Sequence, residues 1–361
     1  MRNLREIWEK AYNTYRSRSA GRYKSRVYGD IPSFMEFPVA WNPEDLEGTD
    51  AVVIGIPWEG LRQLDSDSFA PMGGRPADPE AVINRSGAYD SPAYVRTYSI
   101  QYSTQMSAGY LPQVGQDFYL CDQIAVKDYR DVKIEMWDVE ETAKLAVDRI
   151  SDIVRAGAIP IILGGDHTIS YMGVRAISDN SNGQMGIIVL DSDHDFEYSE
   201  RLTCGSMWAR VLETCNVDPK NVVMIGLRGS VNSREGVEVA KELGLTLIPI
   251  TEVEEKGMDE VIRRAVDIAT DGTERIYLSL DVDVIDPAFF PAQKWPFPLG
   301  LTSYQVRDAL KTIARETNLA GFDIACIGPA YDYKGVGGIT ASRFILEVLI
   351  GIALRKGTKE Y

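Results

Sequence analysis

The 361 residues are 25% charged and 45% apolar, with 31 Gly, 17 Pro, four Cys and two His, a globular composition that excludes disordered and fibrous chains. Thirty-eight basic residues against 53 acidic ones leave a net charge of -15, which argues against nucleic acid as a general partner. Two histidines also exclude any site that needs several imidazoles.

The chain opens on a basic arm. Residues 1–26 hold Arg2, Arg5, Lys10, Arg16, Arg18, Arg22, Lys24 and Arg26 against Glu6 and Glu9, a net +6, so residues 27–361 carry -21. Charge alternates with apolar residues there, with neither an apolar h-region nor a small-residue cleavage site, which speaks against a secretory signal. The arm reads either as a solvated charged helix or, given Trp8, Tyr12 and Tyr15, as a segment that docks on the acidic surface of a neighbouring subunit. Residues 1–30 are assigned to this arm and residues 31–361 to a single domain.

From Ala51 onward, short β-branched runs alternate with segments of helical period. The runs are AVVIGIP (51–57), IPIILGG (159–165), MGIIVLD (185–191), NVVMIGLRG (221–229), LTLIPI (245–250), RIYLSLDVDV (275–284) and LAGFDIACIG (319–328), and they read as buried parallel strands. Amphipathic helices are expected over 139–157 and 258–272, each closed by a glycine. Strand, helix, strand repeated in this way predicts an α/β fold whose parallel sheet is flanked by helices on both faces. Residues 58–135, rich in Gly, Pro, Ser and Tyr, are expected to form long loops over the sheet. The apolar stretch 344–354 is interrupted by Glu347 and falls short of the roughly 18 apolar residues of a membrane span. The four cysteines are unevenly spaced and form no CxxC, as expected of reduced thiols in the cytoplasm.

Three of these runs end in residues unsuited to a core: Gly164-Gly165-Asp166-His167, Asp191-Ser192-Asp193-His194-Asp195, and Asp281-Val282-Asp283. Alternation along an extended chain puts Asp191, Asp193 and Asp195 on one side and pairs Asp281 with Asp283, at the carboxyl ends of parallel strands where α/β sheets place their ligand crevice. Two carboxylates about 4 Å apart repel by roughly 4 kcal/mol at an effective dielectric of about 20. Five in one pocket therefore need protons or cations. Two divalent ions and a neutral His167 make a mixed O/N ligand set suited to Mn, Ni, Fe or Zn, with Mn favoured by the oxygen-rich donors. His194 points to the opposite face and is expected to be structural.

These blocks resemble the ureohydrolase superfamily of arginases, agmatinases and guanidine and biguanide hydrolases. GGDHTIS (164–170) is similar to its GGDHS block, DSDHD (191–195) to DAHxD, and SLDVDVIDP (279–287) to SxDxDxxDP; IGLRG (225–229) and GFDIACIGPAYD (321–332) add to the likeness. The resemblance implies a three-layer arginase-like fold and up to two Mn or Ni ions on His167, Asp191, Asp193, Asp195, Asp281 and Asp283, activating water for attack on a guanidinium carbon. Asp195, Cys204 and Cys326 then occupy catalytic positions. Three departures stand out. Asp193 replaces a family His ligand, Cys204 stands where the family has a proton-shuttling His, and Cys326 replaces the Glu that holds the guanidinium. Cysteine cannot shuttle protons as imidazole does near neutral pH, and the 289–301 loop adds Lys294. Together these imply a degenerate subunit that assembles with a catalytically intact paralogue, similar to metformin hydrolase. A second reading is an active hydrolase with an altered metal site, self-assembled as a trimer or hexamer, and a third is a metal-free binding or regulatory protein on the same fold.

Overall fold

The computed structural model describes residues 32–60, 87–103, 110–114, 118–135 and 138–357, together with Ile7. The rest of the basic arm, with its aromatic residues, lies outside the described residues. The strands are β1 (Ala51–Gly55), β2 (Val126–Asp131), β3 (Ile159–Leu163), β4 (Met185–Leu190), β5 (Val222–Leu227), β6 (Thr246–Pro249), β7 (Arg275–Asp281) and β8 (Leu319–Ala325). They form one eight-stranded sheet in the order β2-β1-β3-β8-β7-β4-β5-β6, every neighbouring pair parallel. Helices of seven residues or more are α1 (Ser91–Ser99), α2 (Val139–Arg155), α3 (Ile169–Asp179), α4 (Met207–Thr214), α5 (Arg234–Leu243), α6 (Ile250–Lys256), α7 (Met258–Thr270), α8 (Ser303–Glu316) and α9 (Val336–Arg355).

Every residue of β1 and β4 is buried, and since successive side chains point to opposite faces, the sheet is covered on both sides. One group of helices packs α2 on α3 and α3 on α4; another packs α7 on α8 and α8 on α9. Local chemistry agrees with these boundaries. Asp138 caps α2 by accepting from the Glu141 N–H at 3.0 Å, and Thr302 and Gln305 form a reciprocal capping box on α8.

Three expectations need correction. Residues 58–135 are not all loop, because α1 and the edge strand β2 lie within them. β2 reads VKDYRD, too charged to look like a strand. Its Asp128 is nonetheless fully buried, because Arg96 of α1 donates to it at 2.8 and 3.0 Å and the Phe34 N–H at 2.7 Å. The run 245–250 is shorter than expected, since β6 stops at Pro249 and Ile250 opens α6. Finally, α9 is long and apolar enough by composition to cross a membrane, yet 78% of its apolar window is buried inside the fold. Glu347 sits within it because Arg343 one turn back donates at 2.7 Å.

The order of strands decides where a ligand crevice can form. The chain leaves β3 and returns as β4, leaving between them the two places later filled by β8 and β7. At such a switch the connections diverge to opposite faces and open a cleft at the carboxyl ends of the strands. β3, β8, β7 and β4 are the strands whose carboxyl ends run into His167, Cys326, Asp283 and Asp191.

Candidate metal centre

β3 ends in two glycines because the chain must pass close to the segment after β1. A Cβ on Gly165 would lie 1.8 Å from the Trp58 carbonyl oxygen. The following turn carries His167, fully buried. Its Nε2 is 2.9 Å from Ser279 Oγ, and Ser279 donates to Asp323 Oδ1 at 2.8 Å, while Tyr277 holds Asp323 Oδ2 at 2.6 Å. With its hydroxyl proton committed to Asp323, Ser279 accepts from Nε2–H. That chain fixes the imidazole and leaves Nδ1 facing the crevice.

Nδ1 lies 2.9 Å from Asp195 Oδ2, 3.0 Å from Asp191 Oδ2 and 3.4 Å from Asp281 Oδ2. Two groups of donors result, each with its atoms within 4.8 Å of one another: His167, Asp191 and Asp195, and Asp191, Asp281 and Asp283. Asp191 belongs to both.

Turn geometry, rather than strand alternation, aims these carboxylates. β4 ends at Leu190 and β7 at Asp281. After each, the first Asp accepts the N–H of the residue two on: Asp193 N–H to Asp191 Oδ1 at 2.8 Å, and Asp283 N–H to Asp281 Oδ1 at 2.9 Å. One oxygen of each is thereby satisfied and the other is left for the crevice. The Ser192 N–H donates to Asp283 Oδ1 at 3.2 Å and ties the two turns together. Asp195 reaches the cluster with a left-handed φ of 43°, a conformation Asp tolerates better than most residues.

The cluster is poorly balanced by itself. Burial, together with neighbouring carboxylates, pushes Asp191 and Asp281 well above the usual carboxylate range, and Asp193 up to about 8. Burial lowers the affinity of His167 for a proton, but its hydrogen bonds to Asp191 and Asp195 outweigh that and raise its pKa. Protons therefore stand in for cations. Asp191 Oδ2 is buried and faces the His167 imidazole at 3.0 Å, an oxygen turned into the crevice as a ligand atom would be. An octahedral ion with donors at about 2.1 Å sets neighbouring donors about 3 Å apart, close to the Nδ1 to oxygen distances here. The donor set fits one or two hard divalent ions.

Asp193 joins neither group. Its Oδ1 accepts from Asn232 Nδ2 at 3.1 Å and lies against Gly229, where a Cβ would be 1.7 Å away. His194 faces away as expected, its Nδ1 accepting the Phe196 N–H at 3.0 Å. Cys326 follows β8 with a φ of 63° and its thiol is hydrogen-bonded to Asp281; burial and the Asp281 and Asp283 carboxylates hold that thiol far above its usual pKa. Cys204, half-buried before α4, lies close enough to Lys294 to interact with its ammonium. Sequence reasoning missed Glu59, Ser279, Asp323 and Asn232 as parts of the site. Ser279 and Asp323 were legible in principle, as polar residues inside otherwise apolar strands.

The Arginase family model matches residues 49–351. Proclavaminate amidinohydrolase of Streptomyces clavuligerus is 27% identical over 328 residues, covering 89% of this chain and 93% of that one; its solved structure superposes with a TM-score of 0.74 over 92% of this chain and 100% of that chain. The human mitochondrial guanidino acid hydrolase is 28% identical over 357 residues, 92% of this chain and 90% of that one. The solved formiminoglutamase of Trypanosoma cruzi, a structure with Mn2+, shares the fold with a TM-score of 0.72 at 21% identity, covering 90% of this chain and 100% of that chain.

Proposed function

The chain belongs to the arginase family, and from that premise we propose that it is a metal-holding but catalytically impaired subunit of a ureohydrolase-type complex. The complex hydrolyses a guanidino or biguanide compound to urea or a guanylurea-type product, in the manner of metformin hydrolase. A catalytically intact paralogue carries the working site. Both subunits are cytoplasmic, where Cys204 and Cys326 remain thiols.

One contrast carries the reading. The donors His167, Asp191, Asp195, Asp281 and Asp283 converge on one crevice, while Asp193 is turned to Asn232 and thiols line the substrate side at Cys204 and Cys326. Divalent Mn or Ni ions in such a site supply the Lewis acidity that activates water. This chain's own residues then supply little else. Cys326, kept protonated by burial, offers no charge to a guanidinium, and Cys204 offers no group that exchanges protons near neutral pH as imidazole does. Losing one such partner typically costs a factor of roughly 100 to 10,000 in rate.

The chain purified alone is expected to bind Mn or Ni yet release urea from agmatine, guanidinobutyrate or a biguanide at less than about 1% of the rate of its mixture with the paralogue. Robust urea release by the isolated chain would overturn this and favour the second reading, an active agmatinase-, guanidinobutyrase- or guanidine hydrolase-type enzyme with a modified dinuclear site. The completeness of both donor groups supports that alternative.

A further inference from the structure

Among the described residues the buried lysine is Lys294. Its ammonium stands 2.5 Å from Glu59 Oε1, the two side chains only 10% and 5% exposed. Glu59 is itself fixed, its other oxygen accepting the N–H groups of Gly87 and Ala88 at 2.6 and 3.0 Å. The lysine backbone is strapped to the ends of neighbouring strands. The Lys294 N–H donates to the Cys326 carbonyl at 3.3 Å, and Gln293 Nε2 donates to the carbonyls of Val282 and Ile285 at 2.9 and 2.7 Å.

This arrangement brings an ammonium to the substrate side of the crevice, beside Cys204 and Cys326, and Cys326 in turn touches Asp281. Burial opposes the lysine's charge, but the carboxylates of Asp166 and Glu59 more than offset it and the group stays protonated. A buried ion pair is a weak source of stability compared with apolar packing, so a charge held this firmly in a ligand crevice calls for a role in what the crevice accepts. A guanidinium ligand needs an anion; here Glu59 is already paired with the lysine, and the oxygens of the neighbouring Asp166 accept the Gly60 and Thr168 N–H groups.

We infer that the Lys294 ammonium is a built-in cation that fills the place a guanidinium would take against Glu59, which makes Lys294 the specificity-determining residue that refuses cationic guanidino ligands and restricts this crevice to uncharged ureido ligands. The inference deepens the reading above and rests on it in taking the crevice beside the metal donors as the ligand site. Two like charges about 4 Å apart at an effective dielectric of about 20 correspond to about a thousandfold in affinity.

The test compares binding of N-methylguanidinium and its uncharged isostere N-methylurea to the full chain by titration calorimetry, with and without Mn. Wild type is expected to bind N-methylurea in preference to N-methylguanidinium. Lys294→Met frees Glu59 and is expected to tighten N-methylguanidinium binding by at least about 100-fold, and Lys294→Met combined with Glu59→Gln is expected to lose that gain. A folded Lys294→Met variant with no gain overturns the inference. So does a wild-type chain that prefers the guanidinium, whether or not the variant folds. These readouts involve no turnover. Urea release from an uncharged substrate by the chain alone would therefore defeat the preceding reading and leave this one standing.

Discussion

The two sides of the crevice are built by opposite means. On the metal side, Asp191, Asp195, Asp281 and Asp283 crowd carboxylates around His167; among the described residues Arg228 offsets part of that charge and protons hold much of the rest. On the substrate side, Lys294 and Glu59 cancel each other at 2.5 Å and two thiols fill the neighbouring positions. The first surface needs an outside cation; the second has supplied its own. On the reading proposed above, a binding function for metal persists in a chain whose ligand side is closed to a guanidinium.

The comparison breaks most sharply at Asp191, the carboxylate common to both donor groups. Asp191→Asn is expected to abolish metal binding altogether, read as the loss of all bound Mn in elemental analysis while the fold is retained. Retention of one ion would show that the two groups do not share this ligand.

The next effect is on stability. Asp191, Asp193, Asp281 and His167 all have folded-state pKa values raised above their ordinary ones, so the metal-free fold holds protons that the unfolded chain releases. Their contribution is present in full below about pH 4 and is lost as pH rises, for Asp193 through about 8. Each such proton adds a slope of about 1.4 kcal/mol per pH unit. Thermal melts of the chelated protein should fall in Tm from pH 5 to 8 relative to the metal-loaded protein, the gap widening with pH. A gap that narrows would contradict the charge balance described here.

Weakening the support of His167 should matter less. Asp323→Asn removes the charge that orients Ser279 and hence Nε2, and is expected to lower metal affinity by about 10- to 100-fold, measured by competition with a chelating dye. The smallest effect is expected at Asp193. Because Asn232 and Gly229 hold its carboxylate outside both donor groups, Asp193→Asn should leave metal stoichiometry unchanged, whereas loss of an ion would make Asp193 a ligand after all.

Much of the fold was legible because buried parallel strands have a strong pattern. Runs such as MGIIVLD are apolar at every position, as two covered faces require. β2 was not legible, because an edge strand tolerates Lys127 and Arg130 while its buried Asp128 depends on Arg96, 32 residues earlier. The helix α9 was only half visible, since its first turn holds Gly337 and Gly338, which let Ala292 and Tyr98 approach closely and give no apolar signal in the sequence.

The candidate site divides in the same way. That acids and a histidine gather at the ends of particular strands follows from the sequence alone, because strand ends recur at the same edge of a parallel sheet whatever the details. Which oxygen faces which was decided only by tertiary structure. The turns after Leu190 and Asp281 abandon the extended period on which the alternation argument depends, so Asp195 enters the cluster through a left-handed backbone while Asp193 is drawn off to Asn232. The pairing of Lys294 with Glu59 is of the same kind. The two residues lie 235 positions apart, and only the packing of the loops after β1, β7 and β8 against one another brings a lysine and a glutamate together in a place that neither could occupy alone without leaving a buried charge unpaired.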